Sequence, residues 1–331
     1  MSKEKALLSV EDLVVNFHTL DGVVHALDGV SLDVQKGEIL GLVGETGCGK
    51  TATGLAILKL LPDNSEIANG RIMLEGDEIL HKTEDQEVKI RGRKIAMIFQ
   101  DPASSLNPVF PIGRQLLDVL KVHNQATDED SLRKLAHDTL IMVELPDPES
   151  VMELYPHELS GGMQQRVMMA IALSSSPILL IADEPTTALD VTIQAQLLVL
   201  LKKLKETLSL SVLLITHNLG VVRELCDRIA IMYAGSVDEV AKTDRIFKNP
   251  RHPYTRGLIS SVVTGRLRGK ILHYIPGIVP SLLHPPQGCR FHPRCSYAIQ
   301  VCKQSRPELL EIEDGHFVAC YNMPKDPWWR T

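Results

Sequence analysis

Four runs of this sequence are apolar almost from end to end: EILGLVG (38–44), ILLIAD (178–183), VLLIT (212–216) and RIAIMYAG (228–235). A strand with no polar alternation has no side to give to water, so these runs predict strands buried on both faces, the condition of a parallel sheet covered by helices. VEDLVVNF (10–17), VSLDV (30–34), RIMLEG (71–76) and KIAMIFQ (94–100) add further strands, and helical stretches alternate with them up to about residue 250. The pattern predicts an α/β core with a parallel central sheet.

Two stretches break the alternation. Between Asp101 and Pro156 no strand-like run occurs; PIGRQLLDVLKVH and DEDSLRKLAHDTLIMVELP have helical spacing, the second with acids early in its helix. After Pro250 proline and histidine become frequent, which predicts a small loop-rich C-terminal module over 251–331 beside a main domain over 1–250. A chain of 331 residues suits one large domain with an appendage.

The net charge of −6 argues against a wide basic face, so nucleic acid is not an expected partner. The start, MSKEKALLSVEDLVV, lacks the apolar core of a signal peptide, and no apolar stretch approaches the roughly 20 residues that span a bilayer. Any membrane link is expected to run through another protein. In a reducing compartment, clustered cysteines bind metal more often than they form disulfides.

GLVGETGCGKTATGLAIL places Gly44, Gly49, Lys50 and Thr51 in the spacing G-x-x-x-x-G-K-[ST], after a strand and before a helix. Such a loop turns successive N–H groups toward phosphate oxygens, and the helix dipole adds positive potential. Gly44, Glu45, Thr46, Gly47, Cys48, Gly49, Lys50, Thr51 and Ala52 are the expected ATP-binding residues. Lys50 reaches the β and γ phosphates and Thr51 binds Mg²⁺. A chance glycine-rich turn lacks the flanking strand and helix. Cys48 reads as a small filler, with no base beside it in sequence.

ILLIADEP ends an apolar strand in Asp183 and Glu184. Consecutive acids at a strand end can serve different atoms: Asp183 would hold Mg²⁺ through water, and Glu184 would polarise the attacking water. Paired acids can also merely cap a turn; the phosphate loop upstream weakens that reading. In HELSGGMQQRVMMAIAL, Ser160 caps a helix that opens on two glycines, a second terminus suited to anions. One nucleotide cannot fill two such sites in one monomer, so the second predicts contact with a partner subunit's ATP.

At this point the chain resembles the ATP-binding cassette (ABC) family over about residues 5–250, because the motifs come in the family's order. These are the loop 44–51, Gln100 in IFQD, LSGGM (159–163), DEP (183–185), ALD (188–190) and ITHN with His217. The resemblance implies a P-loop ABC ATPase core with an N-terminal antiparallel β portion and a helical subdomain that starts at 101–157 and continues through the signature helix. It makes Glu184, His217 and Gln100 catalytic, with Thr51, Gln100 and Asp183 around Mg²⁺. Ser160, Gly161, Gly162 and Met163 form the signature toward the partner's ATP, and Asp190 lies at the dimer interface. Met163 departs from the family's glutamine. Phe17 would stack on adenine, with His25 as competitor and a core role as the plain alternative.

QDPASSLNPVFPIGRQL, NPRHPYTRGLISSV and GCRFHPRC resemble the dipeptide, oligopeptide and nickel branch of ABC importers, which extends the resemblance over almost the whole chain. It implies a peripheral place on the cytoplasmic face of the membrane, two transmembrane permease subunits, a second related ATPase subunit and, indirectly, an extracytoplasmic peptide-binding protein. Residues 101–115 are candidates to receive the permeases, equally readable as an ordinary loop. Competing classes are a soluble ABC-type ATPase acting on nucleic acid or ribosomes, and a metal- or redox-sensing ATPase.

Cys289, Cys295, Cys302 and Cys320 have the spacing C-x5-C-x6-C-x17-C. Tetrahedral zinc puts its sulfurs about 4 Å apart and favours close pairs; wider spacing suits an iron–sulfur cluster held by four thiolates. Loops can still bring distant cysteines to zinc, with His292 or His316 as substitutes. The branch resemblance places a 4Fe-4S cluster ahead of zinc, with disulfides third, as a staple for a module short of long apolar runs. Cys226 reads as an inert buried thiol, and GRLRGK (265–270) as a solvated linker.

Overall fold

The computed structural model describes residues 6–101, 105–123, 128–187, 189–261 and 274–324. The strands are β1 (Leu8–Thr19), β2 (Gly22–Val34), β3 (Ile39–Val43), β4 (Ser65–Leu74), β5 (Asp77–Glu78), β6 (Ile95–Ile98), β7 (Leu179–Asp183), β8 (Ser211–Thr216), β9 (Arg228–Tyr233), β10 (Ser236–Lys242), β11 (Leu310–Glu313) and β12 (His316–Val318). The chain divides into two compact units, Met1–Leu80 with Ile215–Thr331, and His81–Leu214.

In the first unit an antiparallel sheet runs in the order β2-β1-β4-β5. HTLDGVVHA forms the tip of the β1–β2 hairpin: His18 faces Val23 and Thr19 faces Gly22 across a turn at Leu20 and Asp21. The other sheet strands of this unit run β11-β12-β10-β9-β3. β3 and β9 are parallel, Leu40 to Val43 beside Arg228 to Ile231. β3 is buried at every position. Its entry is tied down by polar groups: the Ile39 N–H donates to Asp227 Oδ2 at 2.8 Å, and Arg228 donates to Asp33 at 3.0 Å and Glu38 at 3.3 Å.

The C-terminal residues add β12 and β11 to the open edge of β10, Glu239 facing Val318 and Val240 facing Phe317. Helix Pro253–Ser260 precedes them, and helix Gln300–Gln304 carries Cys302.

In the second unit β8, β7 and β6 lie side by side; β7 and β6 are parallel, with Leu179 beside Ile95 and Ala182 beside Ile98. The expected helical segment consists of helices Ile112–His123, Glu129–Met142 and Pro148–Glu153. Asp128 and Asp147 cap the last two by accepting from Ser131 N–H and Ser150 N–H. The long helices Gly161–Leu173 and Val191–Leu208 complete the unit. Among the described residues no helix is long and apolar enough to cross a membrane.

Candidate functional site

The phosphate loop lies in the first unit, between β3 and helix Lys50–Ile57. Two glycines are forced by geometry. A Cβ at Gly44 would strike the Met232 carbonyl oxygen. Gly49 caps the helix with φ 103°, a left-handed conformation, and a Cβ there would lie 2.7–2.8 Å from Leu27, Ala26 and Met232. Lys50 is buried; its ammonium donates to Gly44 O at 2.8 Å and Glu45 O at 3.0 Å, so the loop carbonyls hold the charge at its mouth. Thr51, Thr46 and Gly47 are exposed. Cys48 is buried, and burial pushes its thiol up, partly countered by Lys50. The Cys48 side chain is wholly buried inside the loop.

Sequence reasoning missed what grips this loop from outside. Arg294 holds the Glu45 carboxylate with both terminal nitrogens, at 2.7 and 3.1 Å. The Glu45 N–H donates to the Tyr254 hydroxyl at 3.0 Å. No motif marks a contact between residues so far apart in sequence.

Phe17 is half-buried on β1, paired with Val24 and with Ser65. The His25 ring bonds Asn16 at 2.9 Å. His217, also in this unit, is exposed just after β8.

In the second unit Asp183 ends β7 fully buried, and Glu184 follows with φ 46°. That conformation is sparse for a residue with a side chain and occurs where surroundings over-determine it. The Glu184 carboxylate accepts from Gln100 Nε2 at 3.3 Å and from the Thr187 hydroxyl at 2.9 Å. Gln100 and Glu184 are thus brought together from the ends of neighbouring parallel strands, and Thr187 joins them. Ser160 is exposed and caps helix Gly161–Leu173, its hydroxyl accepting from Met163 N–H at 3.4 Å. A Cβ on Gly162 would lie 2.7 Å from Ile193. Asp190 caps helix Val191–Leu208, accepting from Thr192 and Ile193 N–H at 3.0 Å each. Ala188 lies outside the described residues.

The four late cysteines line one cavity, together with His252, Phe291 and His292. All six cysteines of the chain are free thiols. Burial pushes the thiols of Cys289 and Cys320 up to about 12, with Asp238 adding to the first and neighbouring cysteines to the second. Cys295 is raised by burial and then by Cys302. Among the described residues no three His, Cys, Asp or Glu side chains stand where they could hold one metal ion. His316, weighed as a substitute ligand, is buried and bonds Glu239 at 2.7 Å; His292 Nδ1 faces Cys289 O at 2.9 Å. Cys226 is buried beside Gly41. GRLRGK lies outside the described residues.

A strand–loop–helix phosphate cradle, a strand ending in two acids and a capped double glycine define a P-loop nucleotide-hydrolysing cassette. Residues 27–187 match the ABC transporter family and residues 239–302 match the oligopeptide/dipeptide transporter C-terminal region. The chain belongs to the ABC transporter family, as an ATP-binding subunit with that C-terminal region. It is 48% identical over 96% of its length to a probable peptide ABC transporter ATP-binding protein of Sinorhizobium fredii, covering 96% of that protein. It is 44% identical over 98% to the oligopeptide transport ATP-binding protein OppD of Bacillus subtilis, covering 91% of it. Among solved structures, the dimeric post-hydrolysis ATP-binding cassette MJ0796 bound to ADP and Pi matches with TM-score 0.64 and 29% identity, over 71% of this chain and 98% of that one.

Proposed function

We propose that this chain is the ATP-hydrolysing subunit of an importer of di- or oligopeptides. The observation that carries it is the Glu184 carboxylate, held by Gln100 and Thr187 at the end of a buried strand in a chain whose near-full-length relatives are named peptide transport ATP-binding proteins. In this reading Lys50 leaves Gly44 O and Glu45 O for the β and γ phosphates. Thr51, Gln100 and Asp183 would hold Mg²⁺, whose charge would offset that of the phosphate oxygens. Glu184 takes the proton of the attacking water, with His217 beside the γ-phosphate. Ser160, Gly161, Gly162 and Met163 serve ATP held by a second cassette, with Asp190 at that interface; Phe17 meets the adenine.

Two permeases and a related but distinct second ATPase complete the complex, which sits on the cytoplasmic face of the membrane. Val109 and Phe110, exposed ahead of helix Ile112–His123, support a permease-facing role for 101–115; residues 102–104 of that stretch lie outside the described residues. The four thiols that share a cavity would hold a 4Fe-4S cluster. A donor set made wholly of thiols, at wide sequence spacing, suits it better than zinc, and when bound it would cross-link this loop-rich region.

The test is ATP hydrolysis by the complex purified anaerobically with its permeases, together with metal analysis. Expected are turnover stimulated by a peptide-loaded binding protein, and iron with visible absorbance lost in Cys289→Ser. Activity that needs no partner and responds to nucleic acid would sink the transport reading. A colourless protein with stoichiometric zinc would sink the cluster.

A further inference from the structure

The contact between Arg294 and Glu45 joins the cysteine-bearing turn to the phosphate loop. Glu45 is the second residue of that loop, and its carboxylate receives two nitrogens of one guanidinium, the fork geometry that fixes direction as well as charge. The pair is no surface ion pair of the kind that contributes little, because the Arg294 side chain is only 6% exposed. Its other donors are engaged: Nε donates to Pro276 O at 3.0 Å, and the terminal nitrogens also reach Ile275 O and the Tyr233 hydroxyl, both at 3.3 Å. The guanidinium lies 5.7 Å from the centre of the Tyr233 ring. Arg294 is therefore locked before Glu45 is considered.

Glu45 is also held by its backbone. Its N–H donates to Tyr254, whose ring is wholly buried and packs 4.6 Å from Tyr233 and 5.4 Å from Phe291 between ring centres. With N–H and carboxylate both engaged, the carbonyl that meets Lys50 is fixed in place. A second arginine repeats the arrangement: Arg290 bonds Asp28 on β2 at 3.0 Å and donates to Ala234 O. Arg290 directly follows Cys289, and Arg294 directly precedes Cys295. The short 3-10 turn His292–Arg294 leaves no slack between them.

We propose that Arg294 is a positioning residue for ATP binding, holding the first turn of the phosphate loop preformed through Glu45, so that the seating of Cys289 and Cys295 sets the loop's affinity for ATP. The proposal rests on the reading of residues 44–51 as the ATP site. Preordering the loop removes part of the ordering entropy that binding otherwise bears, and the arginine touches no substrate atom itself.

The experiment is a double-mutant cycle in the full chain: Arg294→Ala, Arg294→Lys, Glu45→Gln, Glu45→Ala and the double alanine variant. ATP dissociation constants are measured well below each variant's melting temperature, and KM and kcat in the assembled transporter. Arg294→Ala and Glu45→Ala should each weaken ATP binding about tenfold, and the double variant no further than either alone. In the transporter Arg294→Ala should raise KM for ATP while keeping kcat at saturating ATP. Lysine at 294 should restore part of the affinity by supplying one bond of the fork. Glu45→Gln, which keeps the side chain's bulk, can accept one bond of the fork through its amide oxygen and lies away from the cysteines, should fall between the wild type and Glu45→Ala, so loss of the metal site cannot mimic the result. Unchanged ATP affinity in Arg294→Ala, or effects that add in the double variant, would overturn the proposal. Lys50→Ala separates the two readings: if it binds ATP like the wild type, the assignment of the loop fails, whereas its expected loss beside an unaffected Arg294→Ala sinks only the clamp.

Discussion

Glu184, proposed above as the base that takes the water's proton, has a backbone conformation, φ 46°, that few non-glycine residues adopt. The strain is sustained from both sides: β7 is buried at every position up to Asp183, and Gln100 and Thr187 both donate to the same carboxylate oxygen. A glutamine at 184 can accept those two hydrogen bonds through its amide oxygen but cannot take up a proton. Glu184→Gln should therefore leave the local structure and ATP affinity intact while lowering turnover about 10²–10⁴-fold, the usual weight of a positioned general base. Equilibrium ATP binding beside single-turnover hydrolysis measures both; hydrolysis at the wild-type rate would remove Glu184 from its role. Thr187 belongs to the same constellation, yet nothing in sequence distinguished it from any threonine after an acid pair. Its role depends on the tight turn after β7, which brings its hydroxyl back 2.9 Å from Glu184.

At the scale of elements, β10 shows where reading by hydrophobicity stops. SVDEVAK has two adjacent acids and predicts no buried strand, yet it is buried from Ser236 to Ala241. Glu239 is admitted because its oxygens have several partners, whereas Asp238 has one oxygen bonded and its Oδ2 accepts no hydrogen bond among the described residues. Asp238 accepts from Ser236 at 3.1 Å, and burial pushes its carboxyl up. Glu239, fully buried, accepts from Arg251 N–H and His252 N–H at 2.8 Å each and bonds His316 on β12 at 2.7 Å. One carboxylate thus joins β10, the start of helix Pro253–Ser260 and the neighbouring strand β12. Glu239→Ala strands several buried donors at once and should cost about 3–5 kcal/mol. Thermal melting measures the loss, and hydrogen exchange at Phe317 and Val318 shows whether β12 frays; unchanged melting and protected β12 amides would remove the latch. By contrast β3, β7, β8 and β9 were legible from their apolar runs, and the phosphate loop from its spacing, because both signals are local. β11 and β12 were not, being only Leu310–Glu313 and His316–Val318 and stabilised by pairing, β12 to β10 and β11 to β12, rather than by propensity. The Arg294–Glu45 clamp was invisible for the same reason: it exists only once the chain has returned to its own phosphate loop.

For the whole molecule, the phosphate loop and His217 belong to the first unit and the signature, Gln100 and Glu184 to the second. In the pairing proposed above each nucleotide would take one chain's phosphate loop and the other chain's signature, so a change in the signature would act on the partner's nucleotide. Ser160 is exposed at the head of helix Gly161–Leu173, with its hydroxyl directed to Met163 N–H. Arginine there removes the cap, at about 1 kcal/mol, and puts a bulky cation where a neighbour's γ-phosphate would rest. Ser160→Arg should leave ATP affinity of the isolated chain unchanged and lower hydrolysis in the assembled transporter. The partner's identity can be read by complementation. If two copies of this chain formed the pair, mixing Ser160→Arg chains with Lys50→Ala chains would create one site with an intact loop and an intact signature, and activity would return. With a distinct second ATPase in the complex no such site arises, because each complex holds a single copy of this chain. The expected outcome is no recovery on mixing, and recovery only when wild-type chain is supplied; restored turnover in the mixture would establish a homodimer and overturn the heterodimeric arrangement proposed for the importer.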